Sequence, residues 1–313
     1  MPLWRFWMQS EKQIKFVIIA NSVAVKQIEK ENIKGLDWIE LNSKASDFYE
    51  SKSSFCQAQC MIISTRGTEM ESAAIKFADK YNIPKAKIVD TWYGYNRRMF
   101  TELDEKLGSS KLLVIDERAK SEAIKSGIAD SMVEIVGQPA WQTQSPLNCS
   151  DRTKVLFVSQ PIEYFYKKKL GYTESKVLEI VLEAKSIRPE LFSTLQCAIH
   201  PEGLDKLPSS EEVIYTRDGP AQLSSVGVVI GMFSSLMTEA HIAGLHVISY
   251  HSDKSSSEFK CVPDTNVLNN FKTVDDLIVA MQAPIADAAL LKKNLENSTE
   301  RLSHCLLKYD RKT

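Results

Sequence analysis

The motifs that usually announce a chemistry are missing from this chain. It has no G-x-x-x-x-G-K-[ST], no G-x-G-x-x-G after an apolar run and no G-x-S-x-G. Those absences count against P-loop ATPases, ordinary dinucleotide dehydrogenases and α/β-hydrolases. The six cysteines are scattered, with no C-x-x-C pair and no histidine at zinc-ligand spacing, so metal-independent chemistry is favoured. Cys56 and Cys197 sit among apolar neighbours and read as reduced, buried residues. Charge of one sign is also missing. The formal net charge is −1, which gives nucleic acid nothing to hold. No apolar run approaches the ~18–20 residues that cross a bilayer. The first ten residues, MPLWRFWMQS, carry Trp4, Phe6 and Trp7 but no signal-peptide core, so cytoplasmic is the default. Those aromatics offer a peripheral membrane or partner contact, although packing on their own domain is the simpler reading.

What is present is a rhythm. A hydrophobic fraction of 43% and a charged fraction of 25% fit a globular chain, and 313 residues suffice for two domains. Short runs rich in Ile and Val at 14–20, 38–41, 61–64, 86–90, 112–116 and 133–136 read as strands buried on both faces. Amphipathic helices are expected at 22–31, 69–81 and 118–126, the last closed by Gly127. Residues 138–152 (QPAWQTQSPLNCSDR) break the alternation and read as a linker. It then restarts, with strands at 155–159, 193–199, 213–216, 226–230 and 246–250. Helices are expected at 175–185 and 275–282, and one long terminal helix at 286–307. The expectation is an α/β protein of two Rossmann-like domains, 1–140 and 153–313, with parallel sheets facing each other across a cleft. Ligands of such sheets lie beyond the carboxyl ends of the strands.

The polar residues collect at those ends. In the second half they are Ser159-Gln160, His200-Pro201, Arg217-Asp218-Gly219, Gly231 through Ser235, and His251-Ser252-Asp253. In the first half they are Asn21-Ser22, Arg66-Gly67-Thr68, Asp90-Thr91-Trp92-Tyr93 and Asp116-Glu117-Arg118. The most informative stretch is 226–251, VGVVIGMFSSLMTEAHIAGLHVISYH. Here a strand turns at Gly231 into a helix opened by Ser234 and Ser235. Free backbone N–H groups and the positive helix end suit a phosphate, and Glu239, a little over one turn along, suits a ribose. The bland alternative is a serine-capped crossover helix with no ligand. His200 suits a phosphate oxygen or proton transfer, or merely a turn. Asp90, followed by three aromatics and the pair Arg97-Arg98, suits deprotonation of a sugar hydroxyl beside a sugar-stacking face. The same aromatics also fit a core. Lys167, Lys168 and Lys169 read first as a solvated charge run.

The second half resembles the donor-binding domain of GT-B-type glycosyltransferases. There a Gly/Ser-rich turn leads a helix of the form S-x-x-x-E-A-x-x-x-G-x-P-V-I. Ser235, Glu239, Ala240, Gly244, Val247 and Ile248 match it, and His246 stands where the family usually has Pro. His200-Pro201 with Ser234-Ser235 is similar to the H-P and S-S motifs of bacterial sialyltransferases and capsule polymerases, which use CMP-sugars. Their acidic motif is not intact, since Asp116-Glu117 is followed by Arg118, and this leaves the base open. The run LLVIDERAKSEAIKSGIADSMVEIVGQPAW looks like the segment entering the linker of UDP-GlcNAc 2-epimerases.

The resemblance implies a metal-independent glycosyltransferase of polysaccharide or glycoconjugate biosynthesis. Its substrates would be a CMP- or UDP-linked sugar and a glycan or lipid-linked acceptor, with no further cofactor. In that reading Ser159, Gln160, Gly231, Ser234, Ser235 and Glu239 hold the nucleotide, His200 meets the leaving group and Asp90 is the base. Arg66, Thr68, Trp92 and Arg97 then contact substrate. Two other readings stay open: a UDP-GlcNAc 2-epimerase or sugar-nucleotide hydrolase, and a degenerate GT-B-like binding protein.

Overall fold

Parallel strands need crossovers, and the chain supplies a helix or loop between nearly every pair. The computed structural model describes residues 17–20, 37–40, 53–63, 69–92, 94–95, 110–147, 151–167, 169–201, 203–252 and 269–308. The helix expected at 22–31 lies outside them. The chain divides into two units, Met1–Thr143 with Asn294–Thr313, and Gln144–Lys293.

In the first unit, β1 (Val17–Ala20) and β2 (Asp37–Glu40) form a parallel pair. A four-stranded parallel sheet follows in the order β3 (Met61–Ile63), β4 (Lys85–Ile88), β5 (Ser110–Val114), β6 (Val133–Ile135). Helix α1 (Glu69–Lys80) buries Ala74, Phe77 and Ala78 against Ile63 and Ile83. Helix α2 (Glu117–Lys125) is started by Asp116, whose side chain accepts from the Ala119 amide at 2.8 Å. The short α3 (Pro139–Gln142) closes this part of the chain.

The second unit is one six-stranded parallel sheet. Its strands are β7 (Lys154–Val158), β8 (Thr194–Ala198), β9 (Ile214–Thr216), β10 (Val228–Gly231), β11 (His246–Tyr250) and β12 (Asn269–Phe271). Their spatial order is β12-β11-β10-β7-β8-β9. The chain runs outward from β7 to β9, returns to the other side of β7 as β10, and runs outward again to β12. The crossovers include α4 (Ile162–Tyr166), α5 (Glu174–Ile187), α6 (Gly219–Gln222) and α7 (Ser235–Ile242), with α8 (Val274–Gln282) packed on α5 after β12. Val155, Leu156, Phe157, Val228, Val229 and Ile230 have no exposed surface, as central strands covered on both faces require.

The terminal segment departs from expectation. Instead of one helix over 286–307 there are two, α9 (Ala289–Leu295) and α10 (Ser298–Leu307), broken at Asn297 in the left-handed region at φ 57°. Helix α10 belongs to the first unit, not the second. Leu302, Cys305 and Leu306 pack on Ala86, Leu113 and Val136, so the chain's end completes the core of its beginning. Gly137, at φ 78°, makes the approach possible, because a Cβ there would stand 1.9 Å from Ser298 Oγ. The Gln138 amide donates to that hydroxyl at 3.2 Å, and the Thr299 amide and hydroxyl donate to Gln142 Oε1 at 2.9 and 3.0 Å. Among the described residues no helix is long and apolar enough to cross a membrane.

At the amino-terminal edge of the second sheet two histidines are buried. His246 places Nε2 2.8 Å from the Ala280 carbonyl, while its Nδ1 and both ring nitrogens of His241 have no hydrogen-bond partner among the described residues. Burial pushes both imidazoles down to about 4. At His241 this works against the Asp287 charge and is reinforced by Lys292; at His246 Arg152 adds to it against the Ala280 bond.

Two outcomes are expected. Leu302→Ala lowers stability by about 2–5 kcal/mol in denaturant melts, because it opens a cavity between α10 and the first sheet. An effect within experimental error would detach α10 from that core. In acid, the unfolded chain takes up the two imidazole protons near 6.5 and the folded chain only near 4. Stability is therefore lost as pH falls through that window and is insensitive to these groups above it. His241→Leu makes the decline in melting temperature shallower, and an unchanged slope would remove His241 from the account.

Candidate functional site

The register of the second sheet brings its strand ends level. Thr216 pairs with Ala198, Ala198 with Val158, Val158 with Gly231 and Gly231 with Ser249. The residues that follow, among them Arg217, His200 and Ser159, therefore leave one straight edge with strands ~4.8 Å apart. The order is the doubly wound 3-2-1-4-5-6 pattern, and its direction reverses between β7 and β10. Chains leave those two strands for opposite sides, which opens a crevice at their carboxyl ends.

Asp205 ties this edge together. One carboxylate oxygen accepts from Ser159 Oγ, after β7, and the other accepts from the His200 amide at 2.9 Å, after β8. The His200 carbonyl accepts from the Gly203 amide at 2.8 Å, so the half-buried His200 sits in a turn fixed at both ends. Beneath it the thiol of Cys197 is buried and pushed up to about 12, by burial first and the Asp205 charge second, which makes it inert. Glu174 supports the same loop from below. Fully buried, it accepts from the Glu163 amide at the start of α4 and from the Lys206 amide, both at 2.9 Å.

Across the crevice, the turn from β10 into α7 is held from three sides. Gln160 Oε1 accepts from the Phe233 amide at 2.8 Å, Ser249 Oγ donates to the Met232 carbonyl at 2.7 Å, and Ser234 Oγ accepts from the Leu236 amide at 3.3 Å. The Phe233 ring meets Tyr166 of α4 edge-on at 5.8 Å. Of the four amides entering α7, those of Phe233 and Leu236 are spent. The amides of Ser234 and Ser235 donate to nothing among the described residues. Ser235 is exposed and Ser234 half-buried, so both amides stand at the positive end of the helix where an anion can reach them. Gly231 permits the tight approach, since a Cβ would lie 2.8 Å from Met237 Sδ and 2.9 Å from the Val158 carbonyl. Glu239 is half-buried on the Ser235 side of α7, about 6 Å along the axis.

The structure thus brings Ser159, Gln160, His200, Gly231, Ser234, Ser235 and Glu239 to one edge. Two of them already bond within the protein. The hydroxyl of Ser159 donates to Asp205, and the amide oxygen of Gln160 accepts from the Phe233 amide. Among the first-unit candidates, Asp90 is exposed just after β4. Trp92 is a correction. It is 6% exposed, stacked on Trp141 at 5.6 Å, and donates Nε1 to Asp116 Oδ2 at 2.9 Å, so its ring is a packing anchor of the first unit with no face left for a sugar. Arg66, Thr68 and Arg97 lie outside the described residues. Sequence reasoning missed Asp205, Glu174 and Ser249. Only Ser249 carried a signal, as a small polar residue following the apolar pair Val247-Ile248 inside a buried strand.

The same architecture recurs in solved structures. UDP-GlcNAc 2-epimerase from Methanocaldococcus jannaschii superposes with a TM-score of 0.63 at 16% identity, over 98% of this chain and 95% of that one. The Staphylococcus aureus MnaA–UDP co-structure gives 0.62 at 14%, over 98% and 92%. Anabaena Alr3699/HepE in complex with UDP and glucose gives 0.54 at 11%, over 94% and 89%. The fold is GT-B-like. No family model and no curated protein matches the sequence. The GT-B-like likeness spans both units but, at these identities, concerns the fold.

Asp205→Ala removes the acceptor of the His200 amide. That amide should then exchange with deuterium at least about tenfold faster, while Leu156 and Phe157 inside β7 keep their protection. Unchanged exchange at His200 would show that the turn holds without the carboxylate.

Proposed function

We propose that this protein is an enzyme acting on a UDP-linked sugar, of the epimerase or hydrolase kind. The observation that carries the reading is the entrance to α7. Two uncommitted amides at a positive helix end stand at the switch point of a doubly wound sheet, with His200 on the same edge. Such a place suits the phosphates of a nucleotide. Glu239, one turn along, is at the right distance for the ribose hydroxyls, which a carboxylate accepts.

The chemistry this edge favours is cleavage between the sugar's C1 and the phosphate oxygen. The bonding electron pair leaves with the nucleotide, and negative charge grows on the terminal phosphate. Preorganised donors aimed at that charge, the Ser234 and Ser235 amides and His200, stabilise it without moving. This cleavage is common to three outcomes. In epimerisation C1 regains an electron pair from the C2–H bond, with loss of that proton. In hydrolysis the pair comes from water and in transfer from an acceptor hydroxyl, each also releasing a proton. The epimerase or hydrolase reading takes precedence over transfer because several of the structural likenesses that span nearly the whole chain are to proteins named as UDP-GlcNAc 2-epimerases. The H-P and S-S pairs keep transfer as the second reading, since His200 and Ser234-Ser235 do occupy the same edge.

Incubating the protein with UDP-GlcNAc and no acceptor, followed by proton NMR, separates these. Appearance of the 2-epimer, or of UDP with a free sugar, is expected. Turnover that begins only when an acceptor glycan is added would favour transfer, and UDP binding without turnover would favour a binding protein. Glu239→Ala should weaken UDP binding by about tenfold or more, as expected for a lost charged hydrogen bond. An unchanged affinity would remove Glu239 from the ribose.

A further inference from the structure

The second unit contains three arginines, and two are committed. Arg152 donates to the Ala283 carbonyl at 2.7 Å and to that of Met281, and Arg188 pairs with Glu190. Arg217 makes no hydrogen bond or ion pair among the described residues. It is exposed and follows β9 directly, on the ligand-binding edge. The carboxylate of its neighbour Asp218 caps α6, accepting from the Ala221 amide at 3.4 Å.

The guanidinium leans toward the His200 turn. Its two Nη atoms lie 3.7 and 3.9 Å from where a Cβ on Gly203 would stand. Gly203 is at φ 64° and donates its amide to the His200 carbonyl, so the turn that positions the histidine also leaves room for the arginine. A longer side chain at 203 would lie across the guanidinium. The two strands are bonded neighbours up to their ends, where the Ile199 amide donates to the Thr216 carbonyl at 2.9 Å. His200 and Arg217 therefore emerge about one strand spacing apart.

We propose that Arg217 is a specificity residue that binds the second phosphate of a nucleoside diphosphate. This deepens the preceding reading and rests on it. One phosphate saturates the two amides at the α7 entrance. A diphosphate brings a further negative charge, and an unpaired planar fork of donors beside His200 matches it. A nucleoside monophosphate-linked sugar offers Arg217 nothing to hold. The residue thus separates UDP-linked from CMP-linked donors.

The test is titration calorimetry of the full chain with UDP and with UMP, for the wild type, Arg217→Ala and Arg217→Lys. The wild type should bind UDP at least about tenfold more tightly than UMP. Arg217→Ala should weaken UDP by about 10- to 100-fold and change UMP by less than about twofold, so that the preference disappears. Arg217→Lys should restore part of it, since the charge returns without the fork. Equal losses for both nucleotides, or UDP affinity untouched in Arg217→Ala, would overturn the role of Arg217 while leaving the nucleotide site standing. A wild type that binds neither nucleotide would overturn the nucleotide-sugar reading and this inference with it. Should Arg217→Ala fail to fold, Arg217→Lys alone decides, through the ratio of UDP to UMP affinity.

Discussion

One topological constraint governs the second unit. Its sheet reverses direction between β7 and β10, so the chain quits those adjacent strands for opposite faces, and neither crossover can cover the gap. Everything placed at that edge follows from the register. Because Val158 and Gly231 pair, the turn after β7 and the turn into α7 begin at the same height, and Gln160 can reach the Phe233 amide. Because Val158 and Ala198 pair, Asp205 can hold Ser159 and His200 at once. A slip of one residue would invert the faces of β7 and break both links together.

The two edges of this sheet do different work. At the carboxyl edge Asp205, Gln160 and Ser249 bind neighbouring loops, while among the described residues the Ser234 and Ser235 amides and the Arg217 guanidinium have no partner. At the amino edge two histidines are buried, and among the described residues His241 and one nitrogen of His246 lack hydrogen-bond partners. Neutrality makes that arrangement tolerable, since a neutral imidazole costs far less to bury than a charged one. The first unit solves a different problem. Its four-stranded sheet is completed by α10, contributed by the far end of the chain, so it cannot finish folding until the second unit has been synthesised.

Much of the fold was legible because buried parallel strands read as unbroken apolar runs. Val155 to Val158 and Val228 to Ile230 leave little else to be. The edge strand β12, Asn-Asn-Phe, carries no such run and went unread. The break at Asn297 was hidden because helical periodicity continues through it, and the return of α10 to the first unit is a long-range pairing that no local pattern records. The same division holds at the site. Ser234 was legible as a helix cap because capping is local chemistry. Asp205 was not, because its value lies in joining two strand ends 46 and five residues away in sequence. Trp92 shows the converse failure. An aromatic next to a strand end looks the same in sequence whether it faces a sugar or, as here, Trp141 and Asp116.

The central claim is that a nucleotide's phosphate lands on the entrance to α7. Backbone amide NMR of the isotope-labelled full chain, titrated with UDP, addresses it most directly. The account predicts that the largest shift changes fall on Phe233, Ser234, Ser235 and Leu236, with smaller ones on Ser159 and His200. Saturable UDP binding that leaves those four amides unmoved, with shifts elsewhere in the chain, would contradict it.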